Sequence, residues 1–170
     1  MFYMSRSFVS KAVPDITNIT MSSSEVRLGK SFNILVSSTN QGDTADIQIV
    51  SISFPNLTNI DDSILTIKNH NFTQKPILMV IGDEVGSKYS GRSETITAKY
   101  PSIEFISRQW KKHTTYHAQI EIKPQSLGKF VIFIKAVSLP HNNEFSHYPR
   151  TGIKDYQDEF VESYSINVRN

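Results

Sequence analysis

Apolar residues recur at every second position in several separate stretches of this chain, with turn residues between the stretches. The clearest case is Tyr116, Ala118, Ile120 and Ile122, which alternate with His117, Gln119, Glu121 and Lys123. Successive side chains of an extended strand point to opposite faces of a sheet, so this pattern describes a strand with one buried and one wet face. A helix would scatter the same residues around its circumference, and helical periodicity is hard to find anywhere in the sequence. The chain is therefore expected to be all-β.

The same reading places strands at residues 14–21, 32–36 and 45–54, a central strand at 130–137 and a last strand at 160–168. Residues 130–137 are apolar on both faces, as a strand between two layers should be. In the last strand Phe160, Tyr164, Ile166 and Val168 form the apolar row, and Glu162 is expected at the sheet margin. In the third strand the apolar phase flips between Ile49 and Val50. Either a β-bulge keeps both sets facing inward, or the strand is buried on both faces. Shorter strands are expected at 64–67, 77–81, 94–98 and 103–106. Turns are expected at 28–30, at 39–43, where Asn40 and Gly42 accept positive φ cheaply, and at 124–128.

A length of 170 residues fits one domain with a substantial core. Its 18 Lys and Arg against 16 Asp and Glu leave a formal net charge of +2, which gives no general attraction to nucleic acid. The longest apolar run lies near 77–81, far short of the roughly 20 residues of a membrane-spanning helix. Cysteine is absent, which removes disulfide frameworks, thiolate zinc sites and thiol nucleophiles, and leaves the compartment open. Residues 1–13 lack the apolar centre of a signal peptide.

The first third carries a resemblance. Pro14-Asp15-Ile16, Leu28-Gly29-Lys30, Phe32-Asn33-Ile34-Leu35-Val36 and Thr39-Asn40-Gln41-Gly42-Asp43 occur in that order. Together they resemble the CARDB-type domain, an immunoglobulin-like module of bacterial and archaeal surface proteins. The match covers residues 14–54, and the strands at 129–137 and 158–168 are compatible with it. The resemblance implies an immunoglobulin-like antiparallel β-sandwich over residues 14–170, preceded by an extension at 1–13. Such sandwiches hold about 100 residues, so the excess implies an enlarged middle insertion at 55–115 and a long loop before the last strand. It also implies an extracellular or cell-surface setting, in which the chain would be a mature or trimmed form, and a structural or adhesive role. It implies no catalytic residue.

Few residues carry a chemical signature. Asn18, Asn56 and Asn71 each stand two residues before a threonine and are acceptors for N-glycosylation, should the chain follow a secretory route. Residues 82–88 approach the spacing of a phosphate loop without the helix it needs, and read as a turn. His113 and His117 would share a metal on a helix, but on a strand they lie about 13 Å apart. No nucleophile elbow and no metalloprotease motif occurs, so neither an enzyme nor a resident metal or cofactor is expected.

The loop at 138–158 holds most of what remains: His141, Glu144, His147, Tyr148, Arg150, Asp155 and Tyr156. A loop of this length is either functional or folded back as a cover over an open core or sheet edge. On an immunoglobulin-like sandwich its tip is expected at one end, where binding loops cluster. Two functions follow as expectations. The first is a structural or adhesion module that contacts other protein subunits or cell-surface components, with residues 1–13 either frayed or donated as a strand to a neighbour. The second is a module that binds glycans or another ligand through this loop, with Trp110, His113, Tyr148 and Tyr156 as stacking surfaces.

Overall fold

The computed structural model describes residues 12–61, 64–85, 96–140 and 146–170. Fourteen strands and no helix occur among them. In chain order these are β1 (Pro14–Met21), β2 (Glu25–Arg27), β3 (Phe32–Asn40), β4 (Ala45–Ser53), β5 (Leu65–His70), β6 (Ile77–Met79) and β7 (Glu84–Val85). There follow β8 (Ile96–Thr97), β9 (Ser102–Trp110), β10 (Thr115–Ile122), β11 (Gly128–Pro140), β12 (Ser146–Tyr148), β13 (Ile153–Lys154) and β14 (Phe160–Arg169).

Two sheets face each other. The smaller has the order β1-β3-β10-β5, the larger β13-β14-β11-β4-β9-β6, and neither closes into a barrel. This is the sandwich the alternation predicts. One detail departs from a wholly antiparallel arrangement: β2 pairs with β14 in parallel, from Glu25 opposite Asn167 to Arg27 opposite Arg169. β2 follows β1 in the chain and joins β14 on the side away from β11.

The core is built from the alternating rows. Phe32 and Ile34 of β3 and Ile120 and Ile122 of β10 meet Ile52, Ile103, Phe105, Ile132, Ile134 and Ile166 from the larger sheet, all fully buried. Each such side chain contributes about 1.5–3 kcal/mol on leaving water. Along β4 the register with both β9 and β11 runs without a break from Gln48 to Ser53, so the bulge envisaged at Ile49 and Val50 does not form. The strand is buried on both faces instead, with Ile49 and Val50 both enclosed.

Polar residues stitch the two layers. Gln48 lies fully buried, accepts a hydrogen bond from the Ser138 hydroxyl (2.6 Å) and donates to the Ser38 hydroxyl of the opposite sheet (3.3 Å). At the corner after β3, the carboxamide of buried Asn40 accepts from the amides of Val13 (3.1 Å) and Gly42 (3.0 Å). It donates to the carbonyls of Asp43 (2.7 Å) and Trp110 (2.9 Å). The turn at 39–43 is therefore held by a fully satisfied Asn side chain, and Gly42 is not among the glycines of positive φ. At Gly29 the expectation of a glycine turn holds: φ is +87° and the Lys30 amide donates to the Arg27 carbonyl at 3.0 Å.

Candidate functional site

The strongest concentration of chemistry lies on the outer face of the larger sheet, away from the core. Residues of β11 alternate, and since Ile132, Ile134 and Ala136 face the core, Lys135 faces outward, as do its cross-strand neighbour Ser51 on β4 and, beyond that, Glu104 on β9. Outward residues of a sheet are normally wet, yet the Lys135 side chain is only 8% exposed.

What covers it is the segment between β12 and β14. After β11 the chain returns beside it as β12, with His147 opposite Val137. It leaves the sheet after the cis Tyr148–Pro149 peptide, turns back through β13 and resumes the ladder as β14. The excursion ends in a tight tip at residues 155–159. Asp155 organises that tip: its Oδ1 accepts the amides of Gln157 (2.9 Å) and Glu159 (3.1 Å), and its carbonyl accepts the Asp158 amide (3.1 Å). Asp158 takes a φ of +61°, which Asp tolerates better than most residues.

The tip docks on Lys135. Its ammonium donates three hydrogen bonds, to Asp155 Oδ2 (2.7 Å), Gln157 Oε1 (2.6 Å) and Glu159 Oε1 (2.7 Å). Three donors meet three acceptors, so the buried cation is fully satisfied. Burial pulls the lysine towards neutrality, but the Glu159 and Asp155 carboxylates outweigh it and hold the ammonium above its usual value. Beneath the tip, Glu104 is half-buried, accepts from the Ser51 hydroxyl (3.2 Å), and its carboxyl is pushed up by the loss of solvent around it. Tyr100, Phe133 and Tyr156 form an aromatic collar, with Tyr100 edge-on to Tyr156 at 5.0 Å and to Phe133 at 6.2 Å. Burial, helped by Asp155, pushes the Tyr156 phenol up to about 12. A narrow recess between Ser53, Ser102, Glu104 and Lys135 has room for about one water molecule.

The structure separates the loop residues that the sequence grouped. Asp155 and Tyr156 belong to this cluster. His147 borders it: burial pushes the imidazole below its usual value, against the pull of the Glu159 carboxylate, and its Nε2 is buried without a hydrogen-bond partner. Tyr148 lies on the opposite face, packed against the core. Arg150 is exposed, and His141 and Glu144 fall outside the described residues. The loop tip does not stand at the end of the sandwich; it folds back and covers, as one of the two expectations had it, though what it covers is the outer face of the sheet.

Trp110 is also placed differently from the stacking surface envisaged. It is fully buried, edge-on to Tyr116 at 4.5 Å and to Phe72 at 5.8 Å, and its Nε1 donates to the Thr114 carbonyl at 2.6 Å. Asn18, Asn56 and Asn71 are all exposed. The side-chain oxygens of Asn56 and Asn71 accept the amides of Val131 (2.6 Å) and His117 (2.7 Å), which ties each to a neighbouring strand. Among the described residues no group of three or more His, Asp or Glu is placed to hold a metal ion.

Sequence reasoning missed Lys135, Glu104, Gln157 and Glu159. The available signal was a charge inside an otherwise apolar run: Lys135 follows Phe130, Val131, Ile132, Phe133 and Ile134. A charge in a strand read as enclosed on both sides requires a buried partner.

No protein-family model and no curated protein matches the sequence. Several solved structures are similar to it over most of their length. A CARDB domain from Pyrococcus furiosus matches with 10% identity over 95% of this chain and 98% of that one, at a TM-score of 0.43. The collagen-binding domain of a Staphylococcus aureus adhesin matches with 13% identity over 89% of this chain and 97% of that one, at 0.39. A non-cellulosomal cohesin from Archaeoglobus fulgidus matches with 10% identity over 92% and 93%, at 0.36. A CARDB domain, the class of domain that residues 14–54 resemble, is thus among the similar solved structures.

Proposed function

We propose that this chain is a non-catalytic assembly or adhesion module of a surface protein, and that it joins a further copy of itself through the edge of its larger sheet at residues 77–81. The observation that carries this reading is a run of exposed apolar side chains on the edge strand β6 and in the turn that follows it. Ile77, Leu78, Val80 and Ile81 are 43–50% exposed. Among the described residues β6 pairs only with β9, at Ile77–Met79. An edge strand offers unpaired backbone groups to another strand, and proteins that do not use such an edge blunt it with charges. Here the charges stand just outside the run, at Lys75 and Asp83.

The competing reading, a ligand-binding loop, is less favoured because the acidic and amide groups at the tip of that loop already bind Lys135. An extracellular setting and glycans on the exposed Asn56 and Asn71 accord with the assembly reading.

Sedimentation analysis of the purified chain over a range of concentrations tests it. The wild-type chain is expected to associate as concentration rises, and a Leu78→Lys, Ile81→Lys double variant to remain monomeric with an unchanged melting temperature. A wild-type chain that stays monomeric throughout would contradict the reading.

A further inference from the structure

The docked tip brings an amine and a carboxyl group together in the geometry of a reacting pair. We propose that Lys135 and Asp155 form an intramolecular amide bond, made by the chain itself, with Glu159 carrying the protons. The inference is independent of the proposed edge at β6.

Four features carry it. Lys135 Nζ lies 2.7 Å from Asp155 Oδ2. An amine hydrogen-bonded to one carboxyl oxygen stands about 3.5 Å from the carboxyl carbon, the separation of a near-attack pair. The other oxygen, Oδ1, accepts the backbone amides of Gln157 (2.9 Å) and Glu159 (3.1 Å). Two such donors are what a tetrahedral intermediate needs around its negative oxygen. Glu159 Oε1 lies 2.7 Å from the same Nζ and is placed to take its proton. Finally, the three side chains are 8%, 2% and 12% exposed beneath the collar of Tyr100, Phe133 and Tyr156, so bulk water is kept from the pair.

The step balances without an oxidant or an added reactant. The ammonium gives one proton to Glu159, and the freed lone pair of Nζ attacks Cγ of Asp155. Oδ1 takes up the negative charge opposite the two amides. Nζ then releases a second proton, the bond from Cγ to Oδ2 breaks, and Oδ2 leaves as water with the two protons shed by Nζ, relayed by Glu159. One proton remains on the amide nitrogen. The recess beside Lys135 has room for about the one water that is released. The two backbone donors on Oδ1 assign the acyl role to Asp155, and leave Glu159 as the base.

High-resolution intact mass of the full chain under denaturing conditions tests the proposal. The wild-type chain is expected to weigh one water less than its sequence. Proteolysis should yield a branched peptide that joins the segments holding Lys135 and Asp155. Asp155→Ala should restore the full mass, and Glu159→Gln should restore it or slow the loss at least tenfold. The wild-type measurement does not depend on whether either variant folds. A wild-type chain of full mass after prolonged incubation overturns the proposal. So does the loss of ammonia in place of water, which would make Gln157 the acyl donor. Linkage at the wild-type rate in a folded Glu159→Gln chain overturns the role of Glu159.

Discussion

Replacement of Lys135 by Met is expected to destabilise the chain by about 3–5 kcal/mol relative to the unlinked wild-type chain, measured by urea denaturation at neutral pH. The new side chain has nearly the length of the old one, so little packing is lost. What is lost is the cation that the carboxylates of Asp155 and Glu159 share in the docked tip. Two anions would then lie under the aromatic collar without that partner, and the tip at residues 155–159 would have to lift or take up protons. A triple variant, Lys135→Met with Asp155→Asn and Glu159→Gln, is expected to recover much of the loss, because the uncompensated charge is gone. The carboxamide introduced by Asp155→Asn would keep an oxygen for the amides of Gln157 and of residue 159. If the triple variant is no more stable than Lys135→Met, the cluster does not work through charge.

Replacement of Trp110 by Ala is expected to cost about 3–5 kcal/mol as well, through a cavity and not a charge. Trp110 fills the end of the core between Phe72 and Tyr116, and its indole N–H closes the turn that leads to Thr114. The carbonyl of the same residue accepts from Asn40, so the loss would spread to the corner after β3. Thermal denaturation followed by circular dichroism checks this. An effect below about 1 kcal/mol would place Trp110 outside the core and return it to the surface role that the sequence invited.

These two residues show what the sequence made legible and what it hid. The sandwich could be read because alternation on β3, β10 and β14 reports directly which face is buried. Asn40 and Gly29 marked their turns correctly, although Asn40 acts through its carboxamide and not through a positive φ. The short strands β2, β12 and β13 were not foreseen, since two or three residues carry no period and their pairing depends on distant partners. Trp110 reads by its type as a stacking surface, yet β9 ends there with its last side chain turned inward.

The long loop failed as a unit for a different reason. By type alone, aromatic and acidic side chains in a loop resemble a binding surface. Their partner, Lys135, lies on a strand some twenty residues earlier and was absorbed into an apolar run. Only its improbability there pointed to the cluster, and that improbability is a physical signal: a charge enclosed on both sides of a sheet must be met by opposite charge.

The segment after β12 is a docked part of the sheet's outer face. Hydrogen exchange across residues 149–159 tests this most directly. The amides of Asp155, Gln157, Asp158 and Glu159 are expected to be protected on the timescale of the adjoining β14, and to lose that protection in Lys135→Met. Exchange in the wild-type chain as fast as that of an open loop would contradict it.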